Sequence, residues 1–230
     1  MKRLAIVIPC YNQLWHTMKT IESLIKCTKT HFTIIMVDDQ STDTTFDYSQ
    51  ELEKRLGQQF FYIKNTENLG VNASWNVGLR TAMAMQAPYI CIANNDLVFT
   101  DGWDLPLIEC LDNGYSLISP YSTEQAIPAD FPNGGGRHVN PVGGMPILGA
   151  CFMFKPELIE TIGYFPEQMR HYFGDNWIAD QCKIRGLQIG HKYESYIHHM
   201  FCISSSKLDN NYHFKHDGDA YQEYCKNFVL

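Results

Sequence analysis

Four short polar clusters hold the side chains best suited to chemistry: Pro9-Cys10-Tyr11-Asn12, Asp38-Asp39-Gln40-Ser41, Asn65 to Asn72, and Asn94-Asn95-Asp96. Tyr11 can stack on a nucleobase. Asp39 can accept a hydrogen bond from a base N–H. Asp96 can hold a divalent cation that neutralises a diphosphate. Taken singly, each cluster also reads as a turn or a helix cap, because Asn, Asp and Ser favour both. Their joint meaning depends on the elements that present them.

Each cluster follows an apolar run of strand length. Leu4 to Ile8 ends at Pro9, and Phe32 to Val37 closes on Asp38-Asp39. Phe60 to Ile63 leads to Asn65, and Tyr89 to Ala93 to Asn94. Between the runs, Trp15 to Cys27 has helical spacing in Met18, Ile21, Leu24 and Ile25. Ser41 or Thr42 can cap a helix across 44–56 that Gly57 stops, and Val71 to Met85 reads as a third helix. Strand and helix alternating with short connections predict an α/β fold, a mostly parallel central sheet flanked by helices. Ligands bind such a sheet outside the carboxyl ends of its strands, where all four clusters fall. The sequence has no G-x-x-x-x-G-K-[ST] and no G-x-G-x-x-G after the first strand, which removes the P-loop and dinucleotide Rossmann sites.

The second half is less regular. Leu105 to Leu111, Pro156 to Ile162 and Asp175 to Arg185 read as helices; Ser116 to Ser119, Ala150 to Phe154 and Gln188 to His199 read as strands. A long irregular stretch, Pro120 to Pro146, contains Gly134-Gly135-Gly136 and suits a mobile acceptor loop. The tail from Ser204 is polar and aromatic, with a last helix over Asp219 to Phe228. Trp15 and Trp75 are expected to pack; Trp103 and Trp177 pack or stack on a sugar.

Composition narrows the classes of function. The 230 residues carry a net charge of -7, which weighs against nucleic acid and against an anionic membrane surface. No run approaches about 18 consecutive apolar residues, so no membrane span is expected. Met1 to Ile8 is too short for a secretory signal. The eight cysteines are spread evenly with no Cys-x-x-Cys, which predicts reduced thiols in a cytoplasmic protein and no zinc site.

The motifs, in order, resemble the inverting glycosyltransferases of family 2, with the GT-A fold (a Rossmann-like nucleotide-diphospho-sugar transferase fold). Ile6 to Asn12 resembles the family's opening motif, and Val37 to Asp43 its signature after the second strand. Asn68-Leu69-Gly70 and Asn76-Val77-Gly78-Leu79 are similar to its Asn-x-Gly…Asn-x-Gly-Leu segment. Asn94-Asn95-Asp96 falls where the family has Asp-x-Asp, with only Asp96 keeping a carboxylate. Gly149 to Phe154 resembles the Gly-Ala strand beside the donor sugar. Gly174-Asp175 with Ile184-Arg185-Gly186 resembles the Glu-Asp…Arg-x-x-Gly segment, and His198-His199 with Ser204 to Ser206 the strand-end histidine and serine.

The resemblance implies one domain over 1–230: a nucleotide-binding half at 1–100, an acceptor and catalytic half at 101–206, and a tail at 207–230. It implies transfer of a sugar from a nucleoside-diphosphate sugar, most often a UDP-sugar, to a hydroxyl of a glycan, glycolipid or protein. GDP-sugars stay open, and a modified DNA base is the least favoured acceptor. Asp175 is implied as the base. Pro9, Tyr11, Asn12, Asp39, Gly70, Asn72, Asn95, Asp96 and Gly149 are implied at the donor. Asp96 with His198 or His199 would hold Mn²⁺ or Mg²⁺; neighbours on a strand face opposite ways, so only one ring can serve. The family pattern favours His198. Lys207 and Lys215 can reach the diphosphate from the tail. A non-catalytic nucleotide-sugar or glycan-binding module of the same fold is the competing reading, supported by the thinned metal motif.

Overall fold

The computed structural model describes residues 3–122, 138–139, 147–200 and 210–227. The elements run β1 (Arg3–Cys10), α1 (Leu14–Cys27), β2 (His31–Asp38), α2 (Thr45–Leu56), β3 (Phe60–Lys64), α3 (Val71–Ala84), β4 (Tyr89–Ala93), β5 (Leu97–Phe99) and α4 (Asp104–Asp112). They continue with β6 (Leu117–Ser122), β7 (His138–Val139), β8 (Cys151–Phe154), α5 (Pro156–Ile162), α6 (Gly174–Ile184), β9 (Ile189–His199) and α7 (Asn210–Asn227).

Among the described residues the strands form one sheet in the order β3-β2-β1-β4-β8-β6-β9-β5, with β7 beside β9. The first half is parallel, as the strand–helix alternation requires: β1 pairs with β2 and β4, and β2 with β3. Beyond β4 the sheet is mixed. β8 runs antiparallel to β4 and β6, β5 and β7 run antiparallel to β9, and β6 runs parallel to β9. An apolar run carries no direction of its own, so this turnover was not readable from Ala150 to Phe154.

β1, β2 and β4 are buried almost throughout, as central strands covered on both faces must be. Alternate side chains feed two apolar clusters. Leu4, Ile6 and Ile8 face Ile21 and Leu24 of α1 and Trp103. Ala5 and Val7 face Trp75 and Leu79 of α3 and Trp177 of α6. The close approach of α3 to β1 needs Gly78, because a Cβ there would lie 2.2 Å from Val7 Cγ1. Trp103 and Trp177 are therefore core residues, and neither is placed to stack on a sugar. Trp15 departs the other way: it is 59% exposed, with the Lys19 ammonium 5.6 Å from its ring. No described helix is long and apolar enough to cross a membrane.

Candidate functional site

At the carboxyl edge, register brings the first two clusters together. Cys10 pairs with Asp38, and the Asp39 N–H donates to the Cys10 carbonyl at 2.8 Å. Tyr11 and Asp39 thus stand side by side. Tyr11 is 42% exposed. Asp39 is buried and accepts three hydrogen bonds: Oδ1 from Asn65 Nδ2 and the Leu69 N–H, both at 2.8 Å, and Oδ2 from the Gly70 N–H at 2.9 Å. A carboxylate has about four lone-pair positions, so Oδ2 can take one further donor. Asp38, fully buried, is spent on Ser41 N–H at 2.7 Å and the Tyr62 hydroxyl at 2.6 Å. Burial, and then that carboxylate, push the Tyr62 hydroxyl far above its ordinary pKa, which keeps it a donor. The Cys10 thiol is likewise pushed well up, by burial and then by Asp38, Asp43 and Asp39.

Pro9 and Asn12 are both engaged within the protein. Pro9 is buried within β1. Asn12 Oδ1 accepts from the Thr42 N–H (2.8 Å), the Thr42 hydroxyl (3.3 Å) and the Asp43 N–H (3.2 Å), which ties the exits of β1 and β2 together. Tyr11, exposed, and Asp39, with a lone-pair position left on Oδ2, keep atoms open to a ligand. Tyr11→Ala should weaken UDP binding by about 1–3 kcal/mol, the worth of a base on an aromatic platform, at unchanged thermal stability. Asp39→Ala should weaken it by about 1.5–3 kcal/mol and also lower stability, because three buried donors lose their acceptor. Calorimetry with UDP, GDP and ADP beside thermal melts checks both; equal affinities for all three nucleotides before and after Asp39→Ala would contradict the pairing.

Gly70 and Asn72 are both engaged by the fold. Gly70 has φ 89, and a Cβ there would lie 2.5 Å from the Arg170 carbonyl oxygen. Asn72 is fully buried, and its Nδ2 donates to the carbonyls of Met169 (2.5 Å) and Tyr172 (3.5 Å). One helical turn on, Asn76 pairs with Phe165 in both directions, Nδ2 to the carbonyl at 2.8 Å and N–H to Oδ1 at 2.9 Å. The Asn-x-Gly…Asn-x-Gly-Leu segment is therefore the clasp for the chain leading into α6.

The metal side is built by a short antiparallel pairing. β5 sets Leu97 opposite His199 and Val98 opposite His198, and the Met200 N–H donates to the Asp96 carbonyl at 2.8 Å. That contact draws the last residue of β9 beside Asp96: His199 Nε2 lies 3.1 Å from Asp96 Oδ2. His198 is exposed, its ring against Tyr196. Strand alternation operates as expected, but the ring beside the carboxylate is His199, not the favoured His198. Asn95, expected near the donor, donates from Nδ2 to Thr17 Oγ1 of α1 at 2.9 Å. Asn94 fills the first position of the triplet. Its Oδ1 is buried and has no hydrogen-bond partner among the described residues.

These groups fit a divalent cation in type: a carboxylate and an imidazole already in contact, with an unsatisfied amide oxygen two residues from the carboxylate. Among the described residues no three His, Cys, Asp or Glu side chains cluster as a complete ligand set. A cation here would draw its other ligands from a bound diphosphate and water.

The third part lies across the Gly149-Ala150 turn. The Asn94 N–H donates to the Ala150 carbonyl at 2.8 Å, which joins the metal side to this turn. On its other flank, a Cβ on Gly149 would lie 2.3 Å from Asp175 Oδ2. Gly149 is thus required by the carboxylate that packs on it. Asp175 lies in the first turn of α6, half-buried, with Oδ1 accepting from the Asn176 N–H at 3.0 Å. Burial raises its pKa above the usual carboxylate value, against the smaller opposing pull of the backbone N–H groups. Gly174 fills the place of the family's glutamate because Asn72 and Trp75 leave no room: a Cβ would meet Asn72 Oδ1 at 2.3 Å.

The C-terminal helix begins at Asn210 rather than Asp219 and packs on the segment before Asp175. Lys215 is exposed on it. Lys207, Gly134 to Gly136 and Ser204 to Ser206 lie outside the described residues.

The chain is similar to known glycosyltransferases. Validoxylamine A glucosyltransferase from Streptomyces hygroscopicus subsp. jinggangensis is 28% identical over 188 residues, 77% of this chain and 37% of that protein. An uncharacterised glycosyltransferase from Rickettsia felis is 25% identical over 159 residues, 69% of this chain and 24% of that protein. The chain thus spans well under half the length of these relatives. In solved structures it resembles the mannosyltransferase PcManGT from Pyrobaculum calidifontis in complex with GDP-Man and Mn²⁺, with a TM-score of 0.71 at 15% identity over 96% of this chain and 64% of that one. It also resembles S. aureus TarS 1-349 in complex with UDP, with a TM-score of 0.65 at 18% identity over 86% and 60% of the two chains. These likenesses place the α/β sheet in the GT-A fold. Residues 5–178 match the family described as Glycosyl transferase family 2, and with the clasp, the Asp96–His199 pair and Asp175 in the family's order, the chain belongs to that family.

Proposed function

We propose that the protein is a metal-dependent inverting glycosyltransferase, moving a sugar from a nucleoside-diphosphate sugar, a UDP-sugar in the first instance, to a hydroxyl of a glycan, glycolipid or glycoprotein. The observation that carries the reading is that two unlike acidic centres are tied to the one Gly149-Ala150 turn. Asp175, raised in pKa by burial, packs on Gly149. Asp96, in contact with His199, lies two residues beyond Asn94, whose N–H donates to the Ala150 carbonyl.

Tyr11 and Asp39 seat the base. Asp96 and His199, with Asn94 near them, form the diphosphate end; Mn²⁺ or Mg²⁺ bound there supplies positive charge to the departing diphosphate. Asp175 takes the proton of the acceptor hydroxyl as its oxygen bonds to the anomeric carbon and the bond to the diphosphate oxygen breaks. The nucleoside diphosphate leaves with the electron pair, and a single displacement of this kind inverts the anomeric centre. Asp175 must be ionised to accept, and the positive end of α6 favours that form.

The relatives' glycosyltransferase names and the UDP and GDP-Man complexes of the structural neighbours support the class of donor. We assign a cytoplasmic setting on the even spread of the eight cysteines with no Cys-x-x-Cys pair. Release of UDP from UDP-glucose, UDP-galactose and UDP-N-acetylglucosamine, and of GDP from GDP-mannose, with Mn²⁺ present tests the reading. Turnover of at least one donor is expected. Binding of these donors with no turnover would favour the glycan-binding module.

A further inference from the structure

The segment that leads into Asp175 is gripped from two sides by complementary groups. From α3, Asn72 donates to the carbonyls of Met169 and Tyr172. From α7, the fully buried Asp217 accepts on one oxygen, Oδ2, from the N–H groups of His171 at 2.7 Å and Tyr172 at 3.0 Å. Its other oxygen lies 3.1 Å from His216 Nδ1. The next residue, Phe173, has φ 63, a left-handed conformation that a bulky side chain avoids. α7 holds it there: its ring stacks on Tyr221 at 5.3 Å and 15°, and packs on Phe214 at 5.1 Å. The Phe173 carbonyl then accepts from the Trp177 N–H at 2.9 Å, so this residue sets the first turn of α6, where Asp175 sits.

We propose that Asp217 is a positioning residue for the transfer reaction, fastening residues 171–173 so that Asp175 keeps its place against Gly149. The proposal rests on Asp175 as the base. Loss of the Asp217 carboxylate strands two amide donors and frees Phe173 to leave its left-handed conformation, which swings the first turn of α6. Tyr11 and Asp39 follow β1 and β2, and the donors to the Asp39 carboxylate are Asn65, Leu69 and Gly70 rather than residues 171–173, so nucleotide affinity is expected to change little. Burial pushes the Asp217 carboxyl up, but the backbone donors and His216 outweigh it and hold the group below its usual value, so it stays an ionised acceptor.

Asp217→Ala, Asp217→Asn and Asp175→Asn test this beside the unaltered chain. Three quantities are read: UDP affinity by calorimetry, kcat for UDP release from the three UDP-sugars, and amide hydrogen exchange across 171–176. Asp217→Ala should lower kcat by about 10²-fold, the cost of a misplaced catalytic group, with UDP affinity unchanged and faster exchange at 171–176. Asp217→Asn should recover most of the rate, because its single carbonyl oxygen can accept both N–H groups. Unchanged kcat and exchange in Asp217→Ala would overturn the proposal. So would a parallel loss of UDP affinity, or an Asn variant no better than Ala. Full turnover in Asp175→Asn would refute the base instead, and amide exchange would still decide whether Asp217 fastens the loop.

Discussion

Asp175→Asn is expected to lower transfer by roughly 10²- to 10⁴-fold while leaving UDP binding intact, since only the proton acceptor is removed. Asparagine is nearly isosteric, keeps an acceptor for the Asn176 N–H, and fits the space against Gly149. The variant should also be more stable than the parent at neutral pH, and the sign follows from linkage. Burial raises the folded-state pKa of Asp175 above its unfolded value. Between the two values the folded chain binds more protons, so the native protein loses stability as pH rises through that window. Above it the cost of the buried charge is carried in full, and Asn removes that cost. The same shift sets the acid limb of the rate profile, with activity rising as pH climbs through a pKa above the ordinary aspartate value. A melting point that falls in Asp175→Asn, or a profile flat on its acid side, would contradict a buried ionising base.

Removal of the cation site should have the second large effect. Asp96 is the single carboxylate where the family has two, so Mn²⁺ should bind the protein alone weakly and bind with UDP cooperatively. Linkage requires the coupling to be reciprocal, with UDP tightening Mn²⁺ as much as Mn²⁺ tightens UDP, by about 1–3 kcal/mol. Asp96→Ala should abolish that coupling, read by titrating each ligand with and without the other. His199→Ala should weaken it, because its ring is 3.1 Å from the carboxylate, and His198→Ala should not, because its ring faces solvent. Equal losses in the two histidine variants would contradict the β5–β9 register. Chelator should stop turnover and Mn²⁺ restore it; full turnover in chelator would remove the cation from the account.

The parallel half of the fold was legible because β1, β2 and β4 are unbroken apolar runs closed by turn-forming residues, and burial on both faces leaves no other use for them. Leu97-Val98-Phe99 was too short to declare itself a strand, and without its register His198 could not be told from His199. α7 escaped for a different reason. Its inner face mixes Phe214 and Tyr221 with Asp217 and Gly218 against the loop before α6, so the apolar spacing is interrupted near where the helix begins. The roles of asparagines were the least legible. A carboxamide can grip a ligand or a peptide edge with the same atoms, and Asn12, Asn72 and Asn95 all took a peptide or hydroxyl partner, while Asn94 Oδ1 has none among the described residues. Asp39, Asp96 and Asp175 were easier to single out, since a carboxylate at a strand end or in a first helical turn has few apolar explanations.

The stereochemistry of the first product bears most directly on the central claim, a single displacement promoted by Asp175. Donor hydrolysis needs no knowledge of the acceptor, because water can take the acceptor's place. With α-linked UDP-glucose, or whichever α-linked UDP-sugar is turned over, proton NMR of the anomeric signal distinguishes the products before mutarotation mixes them. The account predicts that the β-anomer appears first, and that Asp175→Asn suppresses its formation. An α-anomer appearing first would mean retention through a different chemistry, and the assignment of Asp175 as the base of an inverting transfer would fall.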